Sequence, residues 1–330
     1  MVAQAVTRHD LLHAKEVMRD RGIRAGWGNA LIVHAALERG LLVAGTRGGR
    51  VRISNEKGKA FYWRNGVSNI NHRLARQIVP QKEATSRILR AAGFSAGNNV
   101  VFGADELERA WAWARFGLPV VVKPYNASQG RGVHVGIGTY EDFSGAFASV
   151  ASGFGDVLVE ELITGVEHRA LVVDNVLIAA TRRVPANVTG DGSSTVSDLI
   201  AQKNGQRGVI HKKIAVDVTV ESVLRESGLT LDSVPPKGRL VLLRKTSNLH
   251  TGGDAVDATN EFSDEEKRFI EGAARAIPGL RVAGFGVLLP RPDGTPTILE
   301  VNPFPMISMH HFPAEGPPRD VAGAVVDAMF

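Results

Sequence analysis

The sequence predicts an α/β protein of the α+β kind with two or three packed lobes, the first 80 residues forming a small α/β unit. Three observations predict it. Apolar strand runs at residues 120–122, 156–163 and 282–289 are separated by helical runs that carry their own caps and glycine stops. The dipeptide Asp174-Asn175 between two apolar runs is a two-residue hairpin turn, which makes its flanking strands antiparallel. A chain of 330 residues with 44% hydrophobic and 22% charged content is long enough to bury two or three packed units.

Taken in order, Leu11, Ala14 and Met18 have helical spacing, and a second helix over 30–38 stops at Gly40. Short strands follow at 51–53 and 60–63. A helix over 81–92 stops at Gly93, and another opens on an Asp105-x-x-Glu108 capping box and stops at Gly117. The strand ending at Lys123 comes next, then a helix over 141–152 and the strand over 156–163. Residues 169–173 pair with 176–181 through the Asp174-Asn175 turn. A turn-rich insertion over 185–241 contains a helix from Thr195, with Asp198 in its capping box, to Gly205. Ser263 and Glu266 cap a further helix, strands over 282–289 and 297–301 are joined by Pro292-Asp293-Gly294, and a final helix starts at Arg319.

Composition removes several functions. With no cysteine there is no disulfide framework, thiolate zinc site or catalytic thiol. No run of about 18 apolar residues exists, and Arg8, His9 and Asp10 stand where a secretory signal needs an apolar core, so the expectation is a cytoplasmic protein with no membrane partner. The net charge of +5 is spread among acids and aromatics are only 6%, which argues against nucleic acid and for a basic cleft that takes small anions.

The chemistry lies in three runs. In Val120-Val-Val-Lys-Pro-Tyr-Asn-Ala-Ser-Gln-Gly-Arg-Gly-Val133 a lysine ends an apolar strand before a Gly-rich loop, where Gly130 and Gly132 let backbone N–H groups approach phosphate oxygens and Lys123 adds a compact charge. This is not a standard P-loop, whose lysine follows its glycines and precedes Ser or Thr. In Val157-Leu-Val-Glu-Glu-Leu-Ile-Thr-Gly-Val-Glu-His-Arg169, Glu160 and Glu161 end a strand and Glu167 follows a turn; such acceptors suit an adenosine, and equally suit a strand end with solvated acids. In Thr297-Ile-Leu-Glu-Val-Asn-Pro303, alternation puts Leu299 and Val301 on one face and Glu300 and Asn302 on the other, either as paired oxygen ligands for Mg²⁺ or as an exposed strand face.

These runs, in this order, resemble the ATP-grasp superfamily. Arg183-Val-Pro-Ala-Asn-Val-Thr-Gly-Asp-Gly192, Ser247-Asn-Leu-His-Thr-Gly-Gly-Asp-Ala-Val256 and Met309-His-His-Phe-Pro-Ala-Glu-Gly-Pro-Pro-Arg-Asp-Val321 are similar to the ATP-grasp half of cyanophycin synthetases, over roughly residues 80–330. The sequence ends at Phe330, where those synthetases continue into a Mur-ligase-like half, so the arginine-adding activity of that half is not expected. The resemblance implies an ATP-grasp fold holding a nucleotide between two α+β lobes: an N-terminal lobe over 1–80, a central and lid subdomain over 81–157, and a C-terminal subdomain over 158–330 with its insertion.

It further implies an ATP-dependent carboxylate-amine ligase that acts through an acyl phosphate on an amino acid or peptide, with ATP and Mg²⁺, or Mn²⁺, as cofactors. A homo-oligomer is compatible with this. Lys123 and Lys82 become phosphate lysines, although Lys82 alone reads as an ordinary first-turn helix residue. Glu160 becomes the adenine partner, Glu167 the ribose carboxylate, and Glu300 and Asn302 the metal ligands. Ser128, Gly130, Gly132, Glu161, Ile163 and Leu299 join the nucleotide site. Arg169, Arg183, Arg244 and Lys245 supply positive charge for a substrate carboxylate or the transferred phosphoryl group, with two of the four equally able to pair with surface acids; Arg169, Arg183 and Lys123 are the catalytic candidates. The Thr251-Gly252-Gly253 turn offers backbone donors or is a plain turn, and His310 and His311 read as structural.

One position departs from the family pattern. Gly286, in Val282-Ala-Gly-Phe-Gly-Val-Leu288, stands where the family places an Asp metal ligand. This motivates the alternative reading of a catalytically impaired ATP-binding protein that serves as sensor or scaffold.

Overall fold

The computed structural model describes residue 6 and residues 9–126, 131–289 and 294–330. The chain opens with helices α1 (Asp10–Asp20) and α2 (Trp27–Glu38), followed by an antiparallel sheet of β1 (Leu42–Gly45), β2 (Val51–Ser54), β3 (Ala60–Arg64) and β4 (Val67–Ser68). Leu11, Ala14 and Met18 are buried as their spacing predicts. Helices α3 (Arg73–Ile78) and α4 (Lys82–Ala91) lead into a second sheet. Its members are β5 (Asn99–Phe102), β6 (Val120–Pro124), β7 (His134–Ile137) and β8 (Val157–Glu161), in the order β5-β8-β6-β7 and antiparallel throughout. Helices α5 (Leu107–Ala114) and α6 (Tyr140–Phe154) cover it, with Phe143 and Phe147 fully buried between helix and strands. Trp111 and Trp113 pack into the same core against Phe143 and Phe102.

The third sheet is the largest. Strands β9 (Val166–Val173) and β10 (Val176–Val184) form the expected hairpin, and Asp174 and Asn175 both have positive φ, 47° and 66°, as a type I′ turn requires. The insertion holds β11 (Asn187–Thr189), α7 (Val196–Gly205), α8 (Val218–Glu226) and β12 (Leu240–Leu242); Thr195 and Asp198 make the predicted capping box. Then come β13 (Asp254–Asp257), α9 (Asp264–Arg275) with the predicted Ser263–Glu266 box, β14 (Val282–Leu289), β15 (Thr297–Asn302), α10 (Ser308–His311) and α11 (Val321–Asp327). The sheet order is β13-β10-β9-β14-β15. Of the turn expected between β14 and β15, Pro292 and Asp293 lie outside the described residues.

Both faces of this sheet are covered, but by different parts of the chain. Ala170, Val172, Ala180, Phe285 and Val287 pack with α3, α4 and α9. Leu171, Val173, Ala179 and Val282 pack with the N-terminal helices, Trp63 and the C-terminal helix, so the N-terminal lobe shares its core with the sheet. Trp27 meets Phe312 edge-on at 5.7 Å across that junction. The insertion has a separate core around Val188, Ile200, Leu224 and Leu243.

Three expectations are corrected. The capping box of Asp105 and Glu108 does not form: α5 starts after Glu106, which caps no helical N–H and instead accepts from Gly103 N at 2.8 Å, one turn of chain earlier. The second sheet closes with β8 at residue 161 rather than at 157, and Leu89 of α4 packs into the large sheet's core rather than the second sheet's. Strict alternation in β15 is broken by a β-bulge opposite Gly286 and Val287. Ile298 and Val301 therefore share one core, while Leu299 is half-buried outside it.

Candidate active site

The face of the large sheet that seats the N-terminal lobe at one end carries charges at the other. On β9, Glu167 and Arg169 alternate with the buried His168 and Ala170 and so point to that face. Gly286 of β14 pairs with Arg169 on one side and Glu300 of β15 on the other. Arg169 Nη1 donates to Glu300 Oε1, and Arg169 Nη2 pairs with Glu167 Oε1 at 3.0 Å. On β10, Arg183 donates from Nε and Nη2 to the carbonyl of Ser247 at 2.9 and 2.6 Å, and Ser247 Oγ donates to Glu167 Oε2 at 2.6 Å. Three strands and Ser247 thereby converge on one chain of hydrogen bonds, which passes over Gly286 of β14.

The second sheet contributes Lys123 at the end of β6 and Glu160 at the end of β8, which are joined by an ion pair. Between the sheets stands Lys82, the first residue of α4, within charge range of Lys123, Glu160, Glu300 and Arg169. Burial, then the Lys123 charge, lowers the Lys82 pKa. Burial, then Arg169, brings Arg183 down to about 10. The Arg169 guanidinium holds Glu300 down to about 2. Burial opposes the charge on Arg169, but Glu300 and Glu167 outweigh it and raise its pKa. Lys82, Lys123, Arg169 and Arg183 face Glu160, Glu167 and Glu300, four cations against three carboxylates, so the cleft is net positive by one charge. Such a cleft attracts polyphosphates and carboxylates.

Of the other candidates, Glu161 is exposed and accepts from Asn98 Nδ2 at 3.3 Å, and Ile163 is half-buried just past β8. Gly132 has φ 67°, and a Cβ there would stand 2.8 Å from Phe154 and 2.9 Å from Pro124, so only glycine fits. Ser128 and Gly130 lie outside the described residues. Glu300 keeps its Oε2 beyond the bond to Arg169, and the exposed Asn302 has an Oδ1 that accepts from Phe304 N at 2.9 Å and retains a lone pair. This donor set fits one hard divalent ion whose sphere phosphate and water complete.

Arg244 and Lys245 are spent on acids, Arg244 on Asp217 at 2.5 Å and Lys245 on Glu226 at 2.7 Å. The backbone donors of the Thr251-Gly252-Gly253 turn are also occupied: Thr251 and Gly253 donate to Asn248 O at 3.1 and 2.8 Å, and Gly252 to Leu249 O. Of its two readings, the plain turn is the one that fits these bonds. His310 and His311 are 2% exposed and kept neutral, burial lowering them to about 3 and about 4. Sequence reasoning gave no role to Ser247, which links Arg183 to Glu167, although it begins a matched motif. It also gave none to the buried Asp254, which accepts from Lys203 and Arg207 at 2.7 Å each and ties the insertion to β13.

Two antiparallel sheets facing each other across this cleft define an ATP-grasp fold. Within that class the chain resembles the ATP-grasp half of cyanophycin synthetases. The cyanophycin synthetase of Nostoc sp. (strain PCC 7120) is 40% identical over 271 residues, 78% of this chain and 30% of its own length. The glutathione biosynthesis bifunctional protein GshAB of Pasteurella multocida is 34% identical over 289 residues, 82% of this chain and 38% of its own. The crystal structure of a bifunctional glutathione synthetase from Pasteurella multocida superposes with a TM-score of 0.71 at 31% identity, covering 92% of this chain and 44% of that one. The chain thus spans 30% to 38% of the length of these curated relatives. No family model matches the sequence.

Proposed function

We propose that this chain is an ATP-dependent ligase that joins a carboxylate to an amine. A carboxylate oxygen of an amino acid or peptide attacks the γ-phosphorus of ATP, the bond to the bridging oxygen breaks, and ADP leaves. The amine nitrogen then attacks the acyl carbon, the bond to phosphate breaks, and the amide forms as the nitrogen gives up a proton to solvent. The observation that carries this reading is the meeting of Lys123 of the second sheet and Lys82 of α4 with Arg169 and Arg183 of the large sheet, around carboxylates that do not fully neutralise them.

The residues do mostly electrostatic work. Lys82 and Lys123 bind the phosphates, and Lys123 exchanges Glu160 for a phosphate oxygen, which frees that carboxylate to accept from the adenine amino group. Glu167, already an acceptor from Ser247, is placed for ribose hydroxyls. Arg183, fixed on the Ser247 carbonyl through two of its nitrogens, orients the acyl donor with the third. Magnesium, or manganese, held by Glu300, Asn302 and phosphate oxygens, supplies charge neutralisation to the phosphates when bound. The setting is the cytoplasm and the substrates are small-molecule amino acids or peptides. The rival reading, a scaffold without turnover, is less favoured because all four cations and both oxygen donors are retained.

The test is release of ADP and phosphate from Mg-ATP against a panel of amino acids and short peptides, with mass spectrometry of every positive. Wild type is expected to give acceptor-dependent ADP with a new amide mass. Lys123→Ala is expected to lower the rate by roughly 10²–10³-fold, the scale of losing one preorganised charge at a reacting phosphate. An unchanged rate would sink the assignment.

A further inference from the structure

Gly286 is the place where side chains from two other strands meet. It lies in register with Arg169 on β9 and with Glu300 on β15. A Cβ built on it would stand 2.9 Å from Arg169 Nη1 and 3.0 Å from Glu300 Cγ. The guanidinium therefore crosses β14 through the gap that the missing side chain leaves, reaching Glu300 on one side while it holds Glu167 on the other. Any larger residue at 286 would stand in that path. Gly286 is not among the positive-φ residues, so backbone conformation does not demand glycine here; the present seat of the guanidinium does.

The consequence concerns charge. A pair of divalent ions on transferring phosphates sits about 3.5–4 Å apart and needs carboxylates to offset its charge. Here one oxygen of Glu300 is taken by the guanidinium, and Glu167 is divided between Arg169 and Ser247. Among the described residues no group of three acids or histidines is placed to hold a metal. A second divalent ion would have to sit against the Arg169 guanidinium with no further carboxylate beside it, where like charges repel strongly.

We infer that Arg169, seated over Gly286, is a built-in cation of this site, and that the chain takes one divalent ion with its nucleotide, on Glu300 and Asn302, rather than two. This rests on the nucleotide-binding reading above and specifies its metal requirement. Arg169 supplies on the protein the positive charge that a second ion would bring from solution.

The experiment counts Mn²⁺ bound to the full chain in the presence of saturating AMPPNP, by electron paramagnetic resonance of free and bound ion, with AMPPNP binding measured in parallel by calorimetry. Wild type is expected to saturate at one Mn²⁺ per bound AMPPNP, with the spectrum of an isolated ion. Gly286→Asp, which displaces the guanidinium and adds a carboxylate, is expected to reach two, with a spin-coupled spectrum. Gly286→Ala displaces the guanidinium without adding a ligand, and is expected to stay at one while weakening AMPPNP binding about tenfold, or about 1.4 kcal/mol. Two ions on the wild type, or none while AMPPNP binds, overturns the inference whether or not either variant folds. A wild type that binds no AMPPNP at all overturns the nucleotide-site reading first, and the inference with it.

Discussion

His310 and His311 are neutral in the folded protein because burial pushes them to about 3 and about 4, and His310 is lowered further by His311 once that neighbour is protonated. In the unfolded chain they protonate near the ordinary value of about 6.5. Between about pH 6.5 and 4 the unfolded state therefore binds more protons, and stability falls as the pH falls. Each histidine contributes about 1.4 kcal/mol per pH unit in that window. Urea midpoints at pH 7 and pH 5 should converge for His311→Gln relative to wild type; parallel shifts would refute the account. At this scale the sequence was most readable where one run holds both partners of a feature, as Thr195 with Asp198 and Ser263 with Glu266 do. Arg169 over Gly286 was not readable, because it depends on three strands drawn from positions 166 to 302 and on their register. The glycine was visible as a departure, and the guanidinium that fills its space was not.

Among the elements, the β9–β10 hairpin shows how local chemistry fixes register. Both turn residues are left-handed, and Asp174 also holds Arg281 through both carboxylate oxygens at 2.7 Å each. Asn tolerates that conformation and a β-branched residue does not. Asn175→Val should cost about 1–2 kcal/mol, the left-handed penalty for one residue, read as a lower urea midpoint at unchanged slope. Asn175→Gly should be neutral or stabilising; if the two variants match, turn strain is not what matters there. The β15 bulge is the opposite case. A strand read by alternation alone puts Leu299 beside Val301, whereas the extra residue turns Ile298 into the core. Nothing in Thr297-Ile-Leu-Glu-Val-Asn302 announces a bulge, since its cause is the partner strand. The failed Asp105 box has a similar origin: Glu106 is drawn back to Gly103 and to Arg109 at 2.5 Å, and the helix starts later.

At the scale of the whole molecule, the shared core ties the N-terminal lobe to the large sheet, while the insertion keeps a core of its own. Leu31→Ala, in the shared core, should lower global stability by about 2–5 kcal/mol. Leu224→Ala should instead open the insertion first, seen as proteolytic cutting within residues 185–241 before the main transition; a single coincident transition in both variants would contradict this division. The lobes were legible as lengths of chain with their own caps and turns. Their sharing of cores was not, because apolar periodicity marks a buried face without saying what covers it. The four tryptophans fall into two pairs, Trp27 and Trp63 at the junction of the N-terminal lobe, Trp111 and Trp113 behind the second sheet. Replacing Trp27 and Trp63 with phenylalanine would leave a chain whose tryptophan fluorescence, excited apart from tyrosine, reports on the second sheet alone. A titration with ATP could then be followed in the light that sheet emits, with no label attached to the protein.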